Sequence, residues 1–137
     1  MRRSQAIFGA GLVAAVLGLA NASWAEPTPD QLRNTIREYI AQQEATTGAF
    51  TIDDPRQAGS PRTLTLLRVH ERVGKTGNYY YSCTDMKDAA TGDLLDLDFD
   101  VAENAGTLNV VDVRIHKDNG NPRYTYDDTG RMVPVAP

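Results

Sequence analysis

Between Leu94 and Val101 the chain alternates apolar and acidic residues without a break. Leu95, Leu97, Phe99 and Val101 share one parity, and Asp96, Asp98 and Asp100 share the other. A period of two marks a strand with one buried face. The segment Leu108–Lys117 continues the theme, with Val111, Val113 and Ile115 matching the apolar set and Asp112, Arg114 and His116 the polar set. Such a chain must build a sheet with one greasy face, and that face needs a cover.

The cover lies upstream. Thr28-Pro29-Asp30-Gln31 reads as a capping box, with Pro at the first helical position and an acidic residue at the positive end of the helix dipole. Leu32, Ile36, Tyr39 and Ile40 follow at helical spacing as one apolar stripe, and Gly48 is a natural stop. The pattern predicts a helix from Pro29 to Thr46. Phe50–Ile52 is a short strand candidate, and Asp53–Arg62, with two prolines, a Gly and a Ser, reads as loop. Strands are expected over Thr63–Val73, Asn78–Met86, Leu94–Val101 and Leu108–Lys117, joined by short Gly-containing turns. Tyr124 and Tyr126 suggest a short edge strand. The expected fold is α+β: one N-terminal helix packed on a four-stranded antiparallel meander, a single domain over residues 26–128. Residues 129–137 are expected to form a flexible C-terminal tail.

Helix followed by curved meander resembles the cystatin-like layout, shared in outline by peptidase-propeptide-like domains and small relatives of the nuclear-transport-factor-2 fold. The resemblance rests on element order. The cystatin inhibitor signature, a Gln-Val-x-Gly hairpin, is absent, since the first turn reads Val73-Gly74-Lys75-Thr76-Gly77; protease inhibition is not implied. Val69-His70-Glu71-Arg72-Val73, Tyr81-Ser82-Cys83-Thr84-Asp85, Asp96-Leu97-Asp98-Phe99 and Ile115-His116-Lys117 also resemble small exported bacterial proteins of unassigned activity.

The first 25 residues read as an export signal. Arg2 and Arg3 precede an uncharged apolar run, Ile7–Ala20, and Ser23-Trp24-Ala25 offers a peptidase site after Ala25. The run is too short for a permanent membrane span. The expected location is the periplasm or the extracellular space. Losing Arg2 and Arg3 leaves 12 basic against 18 acidic residues, moving the formal charge from −4 to −6. That acidity excludes nucleic acid and anionic membrane surfaces as natural partners. The lone Cys83 has no internal partner for a disulfide, and no Cys spacing fits covalent haem or thioredoxin chemistry. The protein is expected to be a monomer.

The candidate binding face is the acidic one: Arg68, His70, Tyr80, Asp96, Asp98, Asp100, Arg114 and His116. The three aspartates stand about 7 Å apart along one strand, a spacing that does not by itself converge on one ion. His70 and His116 lie on the first and fourth meander strands, roughly 14 Å apart in a flat sheet, so neither metal nor cofactor is expected. Tyr79, Tyr81 and Cys83 either face the helix or face away from it. The first register buries the thiol, puts Tyr80, Ser82 and Thr84 on the acidic face, and is preferred; simple four-residue turns give the opposite parity.

No nucleophile elbow, phosphate-cradling loop or H-E-x-x-H motif occurs. The expected function is therefore that of an exported, non-enzymatic binding module for a protein, peptide or small ligand. The alternative is a small-ligand or metal-binding protein with a pocket between helix and sheet, lined by Tyr39, Tyr81 and His70. An enzyme ranks third.

Overall fold

The computed structural model describes residues 23–137, so the expected export signal, up to Ala22, lies outside the described residues. Helix α1 spans Pro29–Thr47 and begins as its sequence requires. The Thr28 hydroxyl accepts from the Gln31 N–H, and the Gln31 side chain accepts from the Thr28 N–H. These reciprocal bonds satisfy two donors that the helix leaves unpaired. Gly48 closes the helix with φ +88°, a conformation that disfavours any side chain. Leu32, Ile36 and Ile40 are buried from this helix.

Strands β1 (Phe50–Ile52), β2 (Arg62–Thr76), β3 (Tyr79–Asp88), β4 (Leu94–Asn104), β5 (Thr107–Asp118) and β6 (Asn121–Pro122) form one antiparallel sheet in sequence order. Strands β7 (Tyr124–Tyr126) and β8 (Met132–Pro134) form a separate two-stranded sheet. The α+β class stands; the sheet has six strands where a four-stranded meander is expected. The alternation in β4 holds along its length, with Leu95, Leu97, Phe99 and Val101 all buried against the helix side. Tyr39 meets Phe50 and Phe99 edge-on at 6.4 and 6.2 Å between ring centres. The sheet curls, because Phe50–Asp53 and Val110–Val113, from strands near its opposite edges, line one cleft beside Tyr39.

Four register shifts break strict alternation, one of them leaving Leu67 unpaired between Leu66 and Arg68 in β2. In β5, Asp100 pairs with Asp112 but Val101 pairs with Val110, which leaves Val111 bulged and half exposed. Val110, not Val111, therefore joins the core. A second bulge leaves His116 unpaired between Ile115 and Lys117. In β2 the register jumps between Val69 and Val73, so that His70, Glu71 and Arg72 bow away from Cys83. The buried Ser82 hydroxyl lies 3.1 Å from both the His70 and Arg72 carbonyls, which accept its hydrogen bond. Bulges bend a strand and re-aim its side chains.

The preferred register of β3 is reversed. Ser82, Thr84 and Met86 are buried on the helix side, paired with Phe99, Leu97 and Leu95. Tyr81 and Cys83 point to the opposite, outer face, and Gly74 makes room there: a Cβ at Gly74 would collide with the Tyr81 ring. Large apolar Met86 and the ring of Tyr80 fill the core better than the small thiol does. The C-terminal segment also differs from the expected tail. Val133 pairs with Thr125, the Val135 N–H donates to the Arg123 carbonyl at 2.9 Å, and Arg56 donates to the Val135 carbonyl at 2.7 Å.

Candidate functional site

Two charged regions lie on this sheet. The first closes the end where β1, β3 and β5 finish and β2 and β4 begin. Arg62, 4% exposed, donates to Asp88 at 2.7 Å, Asp93 at 2.6 Å, Asp54 at 3.1 Å and Asp118 at 3.2 Å. Arg123 donates to Asp54 and Asp118 as well. The Arg123 hydrogen bond, with help from Arg56 and Arg62, holds the Asp54 carboxyl far below the usual carboxylate range. Burial opposes ionisation of Asp88, but Arg62 and the backbone N–H groups of Thr91 and Ala90 more than offset it. Every charge here has a partner, so this cluster is a structural plug at the end of the core.

The second region is the outer face opposite the helix. Asp98 is 1% exposed, an unusual position for a carboxylate. Its Oδ2 accepts from the Tyr124 hydroxyl at 2.6 Å and from Tyr126 at 3.4 Å. Its Oδ1 accepts from the Cys83 thiol at 2.9 Å and lies 3.7 Å from His116 Nδ1. The Tyr124 ring stacks on His116 at 4.7 Å between centres, and Tyr126 stacks on Tyr81 at 6.3 Å. The β7–β8 hairpin thus braces Asp98 and His116 from above.

Asp96, two residues before Asp98 on the same face, completes the group. The candidate ligand atoms of Cys83, Asp96, Asp98 and His116 all lie within 4.8 Å of one another. Two side-chain atoms of this group, Asp96 Oδ1 and His116 Nδ1, are buried with no hydrogen-bond partner among the described residues. Burial, and then the Asp98 charge, raise the Asp96 carboxyl above its ordinary range. Burial and the Asp98 carboxylate likewise push the Cys83 thiol far up, so it stays protonated. That is the reverse of the electropositive setting that activates a nucleophilic cysteine. Burial and Asp98 also raise the Tyr124 hydroxyl.

A second group lies beside the first. His70 Nε2 is 2.7 Å from Asp85 Oδ1, and the ligand atoms of His70, Asp85 and Asp96 again fall within 4.8 Å of one another. Asp96 belongs to both groups. The two histidines do not meet; each has its own carboxylates, with Asp96 between them.

The expected face is therefore divided. Asp96, Asp98 and His116 converge, and His70 joins through Asp96. Arg68 reaches only the far oxygen of Asp85, at 3.1 Å. Arg114 is occupied by both oxygens of Asp100, at 2.7 and 3.1 Å, and by Asp112. Tyr80 does not belong to this face: it pairs with Val101, packs against the core and carries the Lys75 ammonium 4.8 Å from its ring centre. Tyr39 lies under the helix while Tyr81 and His70 lie outside, so these three do not line one pocket. Cys83, Asp85, Tyr124 and Tyr126 are site residues that lie outside the candidate binding face expected from the sequence. The pairing Cys83–Asp98 follows from the four-residue-turn parity, the one signal that points to it. No protein-family model, curated protein or solved structure matches the chain, so the reading of this site rests on its own geometry.

Proposed function

We propose that the protein is an exported binding module that holds one divalent transition-metal ion between Cys83, Asp96, Asp98 and His116. One observation carries the reading: four ligand-type side chains from three strands converge, and two of their buried atoms, Asp96 Oδ1 and His116 Nδ1, have no partner among the described residues. The 3.7 Å between His116 Nδ1 and Asp98 Oδ1 is long for a hydrogen bond. Two ligands about 2.1 Å from a shared tetrahedral ion would stand about 3.4 Å apart. Thiolate, imidazole and carboxylate together suit a zinc-class ion better than magnesium or calcium. Binding exchanges the Cys83 S–H bond for a sulfur–metal bond and releases that proton to solvent. The ion's charge offsets the repulsion between Asp96 and Asp98. Tyr124 is a positioning residue: it fixes Asp98 through Oδ2, leaves Oδ1 for the metal, and stacks on His116.

Export is part of the proposal. It is supported by Arg2-Arg3, the apolar run and Ser23-Trp24-Ala25, and the bond after Ala25 lies in the irregular lead-in ahead of Thr28. The helix-then-meander order is compatible with the cystatin-like outline, without its inhibitor hairpin.

Cobalt(II) added to metal-free protein tests the site. The expected result is a near-ultraviolet sulfur-to-cobalt absorption that Cys83→Ser abolishes. Tyr124→Phe should weaken the ion that gives this band about 10–100-fold. Wild-type protein that retains no cobalt, or gives the same spectrum as Cys83→Ser, would overturn the proposal.

A further inference from the structure

The group formed by His70, Asp85 and Asp96 has the composition of a metal site in its own right. It comes from three adjacent strands, β2, β3 and β4. The jump in β2 register sets His70 over Asp85, the cross-strand partner of Asp96. We propose that a second divalent transition-metal ion binds between His70, Asp85 and Asp96, with the Asp96 carboxylate bridging the two ions. This inference rests on the first ion's site for its bridge.

Three features favour the second ion. A carboxylate has two oxygens and can serve one ion with each, as in two-metal centres whose ions stand about 3.5–4 Å apart. Asp96 Oδ1 is buried and unpartnered among the described residues, and Asp96 reaches ligand distance of both groups. Asp85 offers Oδ1 on the His70 side, because Arg68 takes Oδ2 and is itself 68% exposed at its side chain. A groove of about 270 Å³, lined in part by Leu67, Asp85, Asp96 and Lys117, adjoins the group. Three protein ligands leave a zinc-class ion an open position, and the groove has space for the water that fills it. Arg68, bonded to Asp85, places a positive charge beside this group alone, so the second ion is the weaker and fills after the first.

Metal-free protein, wild type and His70→Ala, is titrated with cobalt(II), and bound metal is counted per chain while the sulfur-to-cobalt absorption is followed. The expected result is two ions on wild type, the first bringing the absorption and the second none. His70→Ala should hold one ion and keep the absorption; a wild-type thermal midpoint within a few degrees establishes that this partly exposed substitution leaves the fold intact. One ion on wild type overturns the second site and leaves the first standing. Two ions on both proteins also overturn it, because the second would then lie away from His70. No bound cobalt on either overturns both proposals.

Discussion

At the end of the sheet, Arg62 and Arg123 thread between Asp54, Asp88, Asp93 and Asp118, and every carboxylate there has a guanidinium partner. On the outer face Asp96 and Asp98 stand side by side among a thiol, an imidazole and two phenols, with no Lys or Arg among the described residues bonded to either. Both regions are acidic, and both are buried in part. They differ in what supplies the positive charge. The plug carries its own cations, so its charges serve stability. The outer group supplies hydrogen-bond donors to Asp98 and nothing to Asp96 Oδ1. Buried charge of that kind is costly unless it is compensated, which is why the second region reads as a binding site and the first does not.

The sharpest way to break the comparison is to remove a cation from the plug. Arg62→Met should cost about 3–5 kcal/mol, because it strands buried Asp88 without a guanidinium partner and leaves Asp54 with Arg123 alone. Urea unfolding measures the loss. The plug also sets a pH dependence. Asp54 and Asp88 have folded-state pKa values depressed below the unfolded ones. Their contribution is complete above about pH 4 and is lost as pH falls through the folded values. Stability should therefore fall steeply on acidification below about pH 4, and less so in Arg62→Met.

Packing sets the next scale. Ile36→Ala, fully buried under the helix, should cost about 2–5 kcal/mol. Arg37→Ala, on the exposed side of the same helix, should change the stability read from the unfolding curve by less than about 0.5 kcal/mol. Equal effects would contradict the amphipathic assignment of α1.

The outer face should behave in the opposite way to the plug. Zinc at 100 times its dissociation constant should stabilise the protein by about 2.7 kcal/mol, seen as a raised thermal midpoint. Asp96→Asn should leave metal-free protein within about 1 kcal/mol of wild type, or raise its stability, because it removes a charge repelled by Asp98. The same variant should lose the zinc effect. An Asp96→Asn cost as large as that of Arg62→Met would show that the two regions are alike.

Much of the scaffold is legible in the sequence. The capping box, the stripe Leu32–Ile36–Ile40 and the alternation of Leu95 to Val101 are local patterns, and local patterns survive folding. The site is legible only in part. Asp96, Asp98, His70 and His116 are visible as residues on one face, but their convergence depends on bulges at His70–Arg72 and His116, which alternation cannot register. The orientation of Cys83 turns on β3 parity, where the expectation of a buried thiol and the turn length point in opposite directions, and the turn length gives the correct answer. The plug escapes a sequence reading because Asp54 lies in a proline-rich loop and Arg62 at its boundary with β2. What unites its members is that the aspartates sit in loops and at strand ends, a regularity that acquires meaning only once the strands are aligned. The hairpin over Asp98 is hidden because β7 and β8 are three residues each, too short to carry a period.

The central claim is that the outer face holds a metal through Cys83 and His116. Anomalous diffraction at the zinc edge, from crystals grown with zinc, tests it most directly. The account predicts a peak about 2.3 Å from Cys83 Sγ and about 2.0–2.2 Å from His116 Nδ1 and the Asp96 and Asp98 carboxylates. No zinc peak there, with the Cys83 thiol still bonded to Asp98 Oδ1, would contradict it.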